Sequence, residues 1–324
     1  MQACKGLFFM ILPEEMVFKI LDFFKNNDLG KFDSAITTYR TRKKWIIIKK
    51  KFLMIFKSLM VCDRTLNVDS SYANALVLLR NGKLASGSWD KTVKIWNLVT
   101  GKCEQVFDGH SNGVSSLISL GNRRIVSGGY DAEIKIWNVV SGLCERTLIG
   151  HSKGVSALIQ MSDEKIASGS GDRTIKIWSM ITGLCEQTLV GHDDIVSSLS
   201  HLSDGRLVSG SGDNTIKIWN VATGLCEQTL SENDMYRVYS LVPIGNDRIL
   251  SGSDDGAIKI WNLVSRSCER TLLAHNRGVC ALIRLNDGKI ASGGWDKSIK
   301  IWNLESGVCE RTLVGHGYGV WNLI

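Results

Sequence analysis

The chain has 324 residues, 44% of them hydrophobic, and only two prolines, Pro13 and Pro243; this is a globular composition and excludes a fibrous or disordered chain. The formal net charge of +7 is confined to the front: residues 1–60 hold twelve Lys/Arg against five Asp/Glu, which leaves 27 of each for residues 61–324. A nucleic-acid footprint spread over the main body is excluded, because that body is neutral.

In chain order, the apolar run 7–12 is too short for the core of a secretory leader and lacks a cleavage pattern. Pro13 suits the first turn of a helix, and Glu14 and Glu15 follow where the helix dipole favours acids. Leu12, Met16, Ile20 and Phe23/Phe24 recur at helical spacing, Asn26-Asn27 end that helix and Asp28 caps a second. Such an apolar stripe packs on the main body or docks on another protein. Eight basic residues and no acid fall in 40–57. Segment 45–57 reads as a basic amphipathic helix, with Ile46, Ile47, Phe52 and Phe56 buried and its lysines solvated. The same segment has the charge to touch an acidic membrane surface or RNA, but Lys49, Lys50 and Lys51 prevent it from spanning a bilayer, so no transmembrane segment is expected. The expected organisation is a helical module over 1–50, a basic linker helix over 51–60 and the main body over 61–324.

The main body is a block of about 41 residues written six times. Trp96, Trp137, Trp178, Trp219, Trp261 and Trp302 are spaced by 41, 41, 41, 42 and 41 residues, each six positions after an Asp and seven before a Cys. Within 151–190, Val155, Ala157 and Ile159 alternate with other residues, 166–170 and 174–178 are β-rich, and Gly171-Asp172-Arg173 and Thr182-Gly183 are turns. That pattern gives four short antiparallel strands per repeat. The repeated cysteines stand too far apart to bond. They read as small buried hydrophobes in a reducing compartment, cytoplasm or nucleus.

The wording SGSGDRTIKIW at 168–178 and TGLCEQTLVGH at 182–192 resembles the WD-repeat family. The resemblance covers about four fifths of the chain and implies an all-β WD-repeat β-propeller. In that family a His, a Ser/Thr, the turn Asp and the Trp form a buried hydrogen-bonded tetrad. Carried over, these are His110, Ser127, Asp131 and Trp137; His151, Ser168, Asp172 and Trp178; His192, Ser209, Asp213 and Trp219; and His275, Ser292, Asp296 and Trp302. Two repeats depart from this. The first has Asp69 in place of His, beside Ser86, Asp90 and Trp96, and the fifth has Asn233 or Asp234, beside Ser251, Asp255 and Trp261. Their networks are expected to be weaker, since a buried Asp loses a partner.

Two fragments remain. CDRTL at 62–66 matches CERTL at 268–272 as an outer strand, and 315–323 matches an inner strand. The expectation is six complete four-stranded blades plus partial strands of a seventh, with seven-like curvature and two middle strands missing. Closure on six blades with a redundant strand is the alternative.

Leu12-Pro13-x-Glu15, Ile20-Leu21, Phe24, Asp28-Leu29 and Trp45 resemble an F-box, a module that docks on the Skp-type adaptor of a cullin-RING ubiquitin ligase. The resemblance implies adaptor contacts at Leu12, Pro13, Ile20, Leu21 and Leu29. An F-box-like helical module ahead of WD repeats implies the substrate-recognition subunit of an SCF-type ligase.

His, Ser and Asp together suggest a hydrolase, but a catalytic triad occurs once and this set recurs. No metal cluster, cofactor-binding motif or phosphate-cradling loop is present in the sequence, so neither an enzyme nor a cofactor is expected. Recognition is expected on the loop rim. The residues beside each turn Asp and on the inner loops supply Trp89, Lys91, Tyr130, Lys153, Arg173, Arg237, Arg277, Trp295 and Lys297. Aromatic residues with no packing duty, set among basic ones, suit a protein target that is acidic or phosphorylated, such as a phosphopeptide. A non-catalytic WD-repeat scaffold without a ubiquitin role is the alternative.

Overall fold

In the computed structural model, the residues described are 7–9, 64–66, 72–79, 82–121, 123–232, 236–245, 247–285 and 288–324. The chain divides near residue 66 into two compact units. In the first, β1 (Leu7–Phe9) pairs antiparallel with β2 (Arg64–Leu66), with Phe8 opposite Thr65. Of the segment 62–66 expected as an outer strand, the last three residues form a strand that pairs with Leu7–Phe9, an exposed strand edge accepting a compatible partner. The F-box-like positions, the basic linker helix and Asp69 lie outside the described residues.

The second unit consists of six four-stranded antiparallel meanders, spanning 73–107, 114–148, 155–190, 196–230, 238–273 and 279–314. In the third blade the strands are Val155–Gln160, Lys165–Ser170, Thr174–Ser179 and Cys185–Val190. This is an all-β propeller of six blades. Segment 315–324 forms no strand, so the inner strand expected there is absent as a ladder. Its residues nonetheless take up repeat contacts: Val320 N donates to Gly294 O at 2.9 Å, and the Tyr318 ring meets Tyr72 edge-on at 5.3 Å.

The core lies between blades. Val126, Ile134, Ile136 and Leu148 of the second blade pack with Val155, Leu158, Ile166 and Trp178 of the third. Ala167, Ile175, Ile177 and Leu189 of the third pack in turn with Val196, Leu207 and Trp219 of the fourth. The third strand of the third blade thus buries both of its faces, and no blade can bury its apolar surface alone. The repeated cysteines are the exception to the expected burial. Cys103, Cys144, Cys185 and Cys226 are exposed, and Cys268 and Cys309 are half-buried. They sit on the outer strand, which has no further strand beyond it.

Two recurring irregularities shape each blade. Near the tryptophan the third and outer strands slip register, as between Ile177 and Trp178. At the start of the inner strand a bulge leaves one residue unpaired: Val155 faces Ser170 and Ala157 faces Gly169, with Ser156 skipped. A bulge re-aims the skipped side chain, and here that side chain turns towards the central channel.

Candidate partner-binding site

The buried sets of His, Ser, Asp and Trp form one hydrogen-bonded chain in each of four blades. In the third, Trp178 Nε1 donates to Ser168 Oγ at 2.8 Å, Ser168 Oγ lies 2.7 Å from His151 Nε2, and His151 Nδ1 lies 2.7 Å from Asp172. The acceptor-only carboxylate requires the proton on Nδ1, so the serine hydroxyl donates to Nε2 and accepts from the indole. The second, fourth and sixth blades repeat this through Trp137–Ser127 (2.7 Å), Trp219–Ser209 (2.8 Å) and Trp302–Ser292 (2.9 Å). His110, His192 and His275 bridge these serines to Asp131, Asp213 and Asp296.

Burial pushes the Asp172 carboxyl up, but hydrogen bonds from Thr174, His151 and the Ser152 amide outweigh it and hold the group at about 2. Burial keeps the imidazoles of His110, His151 and His275 below their ordinary range, against the pull of their carboxylates. Ser168 has no exposed surface and its oxygen is engaged by the indole. A nucleophile needs access to its substrate, so these sets are architecture.

The departing blades use other partners. In the first, Asp90 accepts from Lys94 Nζ at 3.0 Å and from Thr92, while Trp96 still donates to Ser86 at 2.8 Å. Asp90 has therefore replaced the lost partner with a lysine. In the fifth, Trp261 donates to Ser251 at 2.8 Å and Asp255 accepts from Ser253 Oγ and the Ala257 amide. Residues 233–235 lie outside the described residues.

The bulged residues decide the shape of the channel. On one side they latch blades together: Asn74 Nδ2 donates to Val114 O at 3.1 Å, and the Ser115, Ser156 and Ser197 hydroxyls donate to Val155 O, Val196 O and Val238 O of the following blade. In the fifth and sixth blades the same bulge carries Tyr239 and Cys280, and Trp321 follows Val320 as those two follow Val238 and Val279. There the channel opens into a cavity of about 580 Å³.

Seven aromatic rings line it: Tyr72, Trp89, Tyr130, Tyr239, Trp295, Tyr318 and Trp321. Trp89 stacks on Tyr130 at 4.6 Å, and Trp295 meets Trp321 at 5.4 Å and Tyr239 at 5.9 Å. The expectation of aromatics without a packing duty is thus corrected. Trp89, Tyr130 and Trp295 pack on one another or on neighbours, and each also lies over a glycine of the next loop, Gly113, Gly154 and Gly319 in turn. Trp89, Tyr130, Tyr72, Tyr318 and Trp321 still leave 40–49% of their surface exposed.

The basic residues anticipated from the sequence separate into two groups. Arg277 and Lys297 line the cavity, whereas Lys91, Lys153, Arg173 and Arg237 do not. Arg237 faces Asp194 at 3.7 Å and lies 6.0 Å from the Tyr239 ring centre. Lys91, Arg173 and Lys297 all have left-handed backbones, with φ of 74°, 73° and 69°, which aims their side chains off the tight Asp turn. Sequence reasoning missed Tyr72, Tyr239, Cys280 and Trp321. The signal was present: the residue after each inner-strand Val reads Ser115, Ser156, Ser197, then Tyr239, Cys280, Trp321.

The family described as WD domain, G-beta repeat matches residues 60–97, 101–138, 142–179, 183–220, 224–262 and 266–303. The chain belongs to the WD-repeat family. Each matched WD repeat after the first straddles two blades: 142–179 begins with the outer strand of the second blade and ends on the third strand of the third. No curated protein matches the chain. WD-repeat propellers are suited to protein–protein interaction, typically as non-catalytic scaffolds. Among the described residues no helix is long and apolar enough to cross a membrane, and no three His, Cys, Asp or Glu side chains gather to hold a metal ion.

Proposed function

We propose that this WD-repeat protein is a recognition subunit that has no chemistry of its own and holds an acidic or phosphorylated protein target at the mouth of its channel. The observation that carries this is the cluster of seven aromatic rings around one opening, bordered by Arg277 and Lys297. Aromatic and arginine side chains are the usual anchors of protein interfaces. Residues 1–50, through the resemblance of Leu12, Pro13, Ile20, Leu21 and Leu29 to F-box contacts, would dock the Skp-type adaptor of a cullin-RING ligase. An attached enzyme would then act on a target held in place, so that proximity is the catalytic contribution.

A second reading, a scaffold without a ubiquitin role, is favoured by the family match, which begins at residue 60. Co-purification with the adaptor separates the two. Leu12→Ala with Pro13→Ala abolishes the association if the first reading holds, and a wild-type chain that never captures the adaptor supports the second. In either case, Arg277→Glu with Lys297→Glu is expected to abolish capture of the acidic target; unchanged capture removes the mouth from consideration.

A further inference from the structure

The cavity's polar groups are unequal in a way that constrains its occupant. Trp295 Nε1 is buried and makes no well-formed hydrogen bond among the described residues, with only a weak thiol contact to Cys280. Its polar neighbour is Cys280, whose thiol burial pushes up to about 12, against a weaker opposing pull from Trp295. That thiol is therefore neutral and a poor acceptor. The serine protons at the channel wall are already given to the carbonyls of Val155, Val196 and Val238. The charged side chains lining the cavity are Arg277 and Lys297, neither of which forms an ion pair among the described residues. Asp254, beside the lining, accepts the Tyr239 hydroxyl at 3.3 Å. The site thus offers two cations and aromatic walls; its acceptors are neutral oxygens, those of Asn74, Ser115, Ser156 and Ser197 among them, and no carboxylate is among the described residues that line it.

Resting on the reading of an acidic or phosphorylated partner, we infer that the mouth is built for a phosphotyrosyl side chain of a peptide, its ring against Tyr239, Trp295 and Trp321 and its phosphate on Arg277, Lys297 and the Trp295 N–H. A dianion matches two cations. A flat apolar ring is needed to cover the aromatic walls, which a phosphoserine leaves wet. The volume of about 580 Å³ falls within the range of about 300–1,000 Å³ that encloses groups of this size. A nucleotide also joins a ring to a phosphate, but the neutrality of residues 61–324 leaves no track for a nucleic-acid backbone. A methylated ammonium would face the two cations.

The test is fluorescence anisotropy on the full chain, with degenerate peptide libraries carrying one fixed central residue: phosphotyrosine, tyrosine, phosphoserine or trimethyl-lysine. A single-stranded oligonucleotide completes the set. The phosphotyrosine library is expected to bind at least about tenfold more tightly than the others. Arg277→Gln with Lys297→Gln should erase that preference. Trp295→Phe, which keeps a ring but removes the N–H, should weaken phosphotyrosine binding by about tenfold and leave tyrosine binding unchanged. Unchanged thermal midpoints show that the variants fold. If phosphoserine binds as tightly as phosphotyrosine, the inference falls and the broader reading stands. If no phosphorylated library binds, or if trimethyl-lysine or the oligonucleotide is preferred, both fall.

Discussion

Val320 seats its side chain against Gly293 so closely that a Cβ on the glycine would lie 2.6 Å from Val320 Cγ1. The same fit recurs between successive blades, with Gly128 under Val155 at 2.6 Å and Gly169 under Val196 at 2.7 Å. Segment 315–324 therefore makes the inter-blade contact of an inner strand without being one. The close approach needs glycine for space, since no φ in the left-handed region is recorded at any of these three.

Gly169→Ala places a methyl 2.7 Å from Val196 Cγ1 and 3.0 Å from Val196 O. Backbone cannot retreat as a flexible side chain can, so the blades must separate. Overpacking of this kind costs about 1–3 kcal/mol. Urea denaturation should show a lower midpoint with an unchanged slope.

Ser168→Ala leaves both Trp178 Nε1 and His151 Nε2 without the hydroxyl that partners them. Each orphaned buried group costs about 1–3 kcal/mol. Ser251→Ala in the fifth blade frees Trp261 Nε1 and should be the milder change. Equal losses in the two variants would show that the imidazole contributes nothing to the network.

Stability is expected to fall in acid in two stages. The imidazole of His151 lies below its ordinary 6.5, through burial opposed by Asp172. The unfolded chain therefore binds this proton more readily, and the contribution is full above about 6.5 and lost as pH falls through the lowered folded value. Asp172, held at about 2 against an ordinary 3.8, contributes fully above 3.8 and loses that contribution as pH falls towards 2. Thermal midpoints recorded from pH 8 to pH 2 should decline in both windows, and Asp172→Asn should remove the second in its blade.

Ala132 sits at φ 67° on the tight Asp turn, where the fifth blade has Gly256 at 82°. A left-handed backbone costs a non-glycine residue about 1–2 kcal/mol, partly offset by the entropy glycine loses on folding. Ala132→Gly should therefore stabilise by about 1 kcal/mol or less. The reverse change, Gly256→Ala, places a Cβ almost on the carbonyl of His275 and should destabilise. Differential scanning calorimetry of the pair checks both signs.

Cys144, Cys185 and Cys226 are exposed while Cys280 is buried, and burial pushes the Cys280 thiol up to about 12. Reactivity follows thiolate and access. A maleimide should label the first three in the native protein and Cys280 only after unfolding, as read by peptide mass mapping. Labelling of Cys280 at the same rate would mean the channel mouth opens.

The tetrad residues were implied by the resemblance to the WD-repeat family; the 41-residue recurrence and its Asp, Trp and Gly content were enough, read as sequence, to specify the six blades and their strand order. Those features depend on local patterns of alternation and turn chemistry that every repeat carries. The partner of Arg64–Leu66, the exposure of the repeated cysteines and the gathering of Tyr72, Tyr239, Trp295 and Trp321 at one opening were decided by the tertiary structure. These residues stand up to some 250 positions apart along the chain; the inner-strand bulge turns Tyr239 towards the channel, and the ring of blades brings Tyr72 and Trp295 from their loops to the same opening.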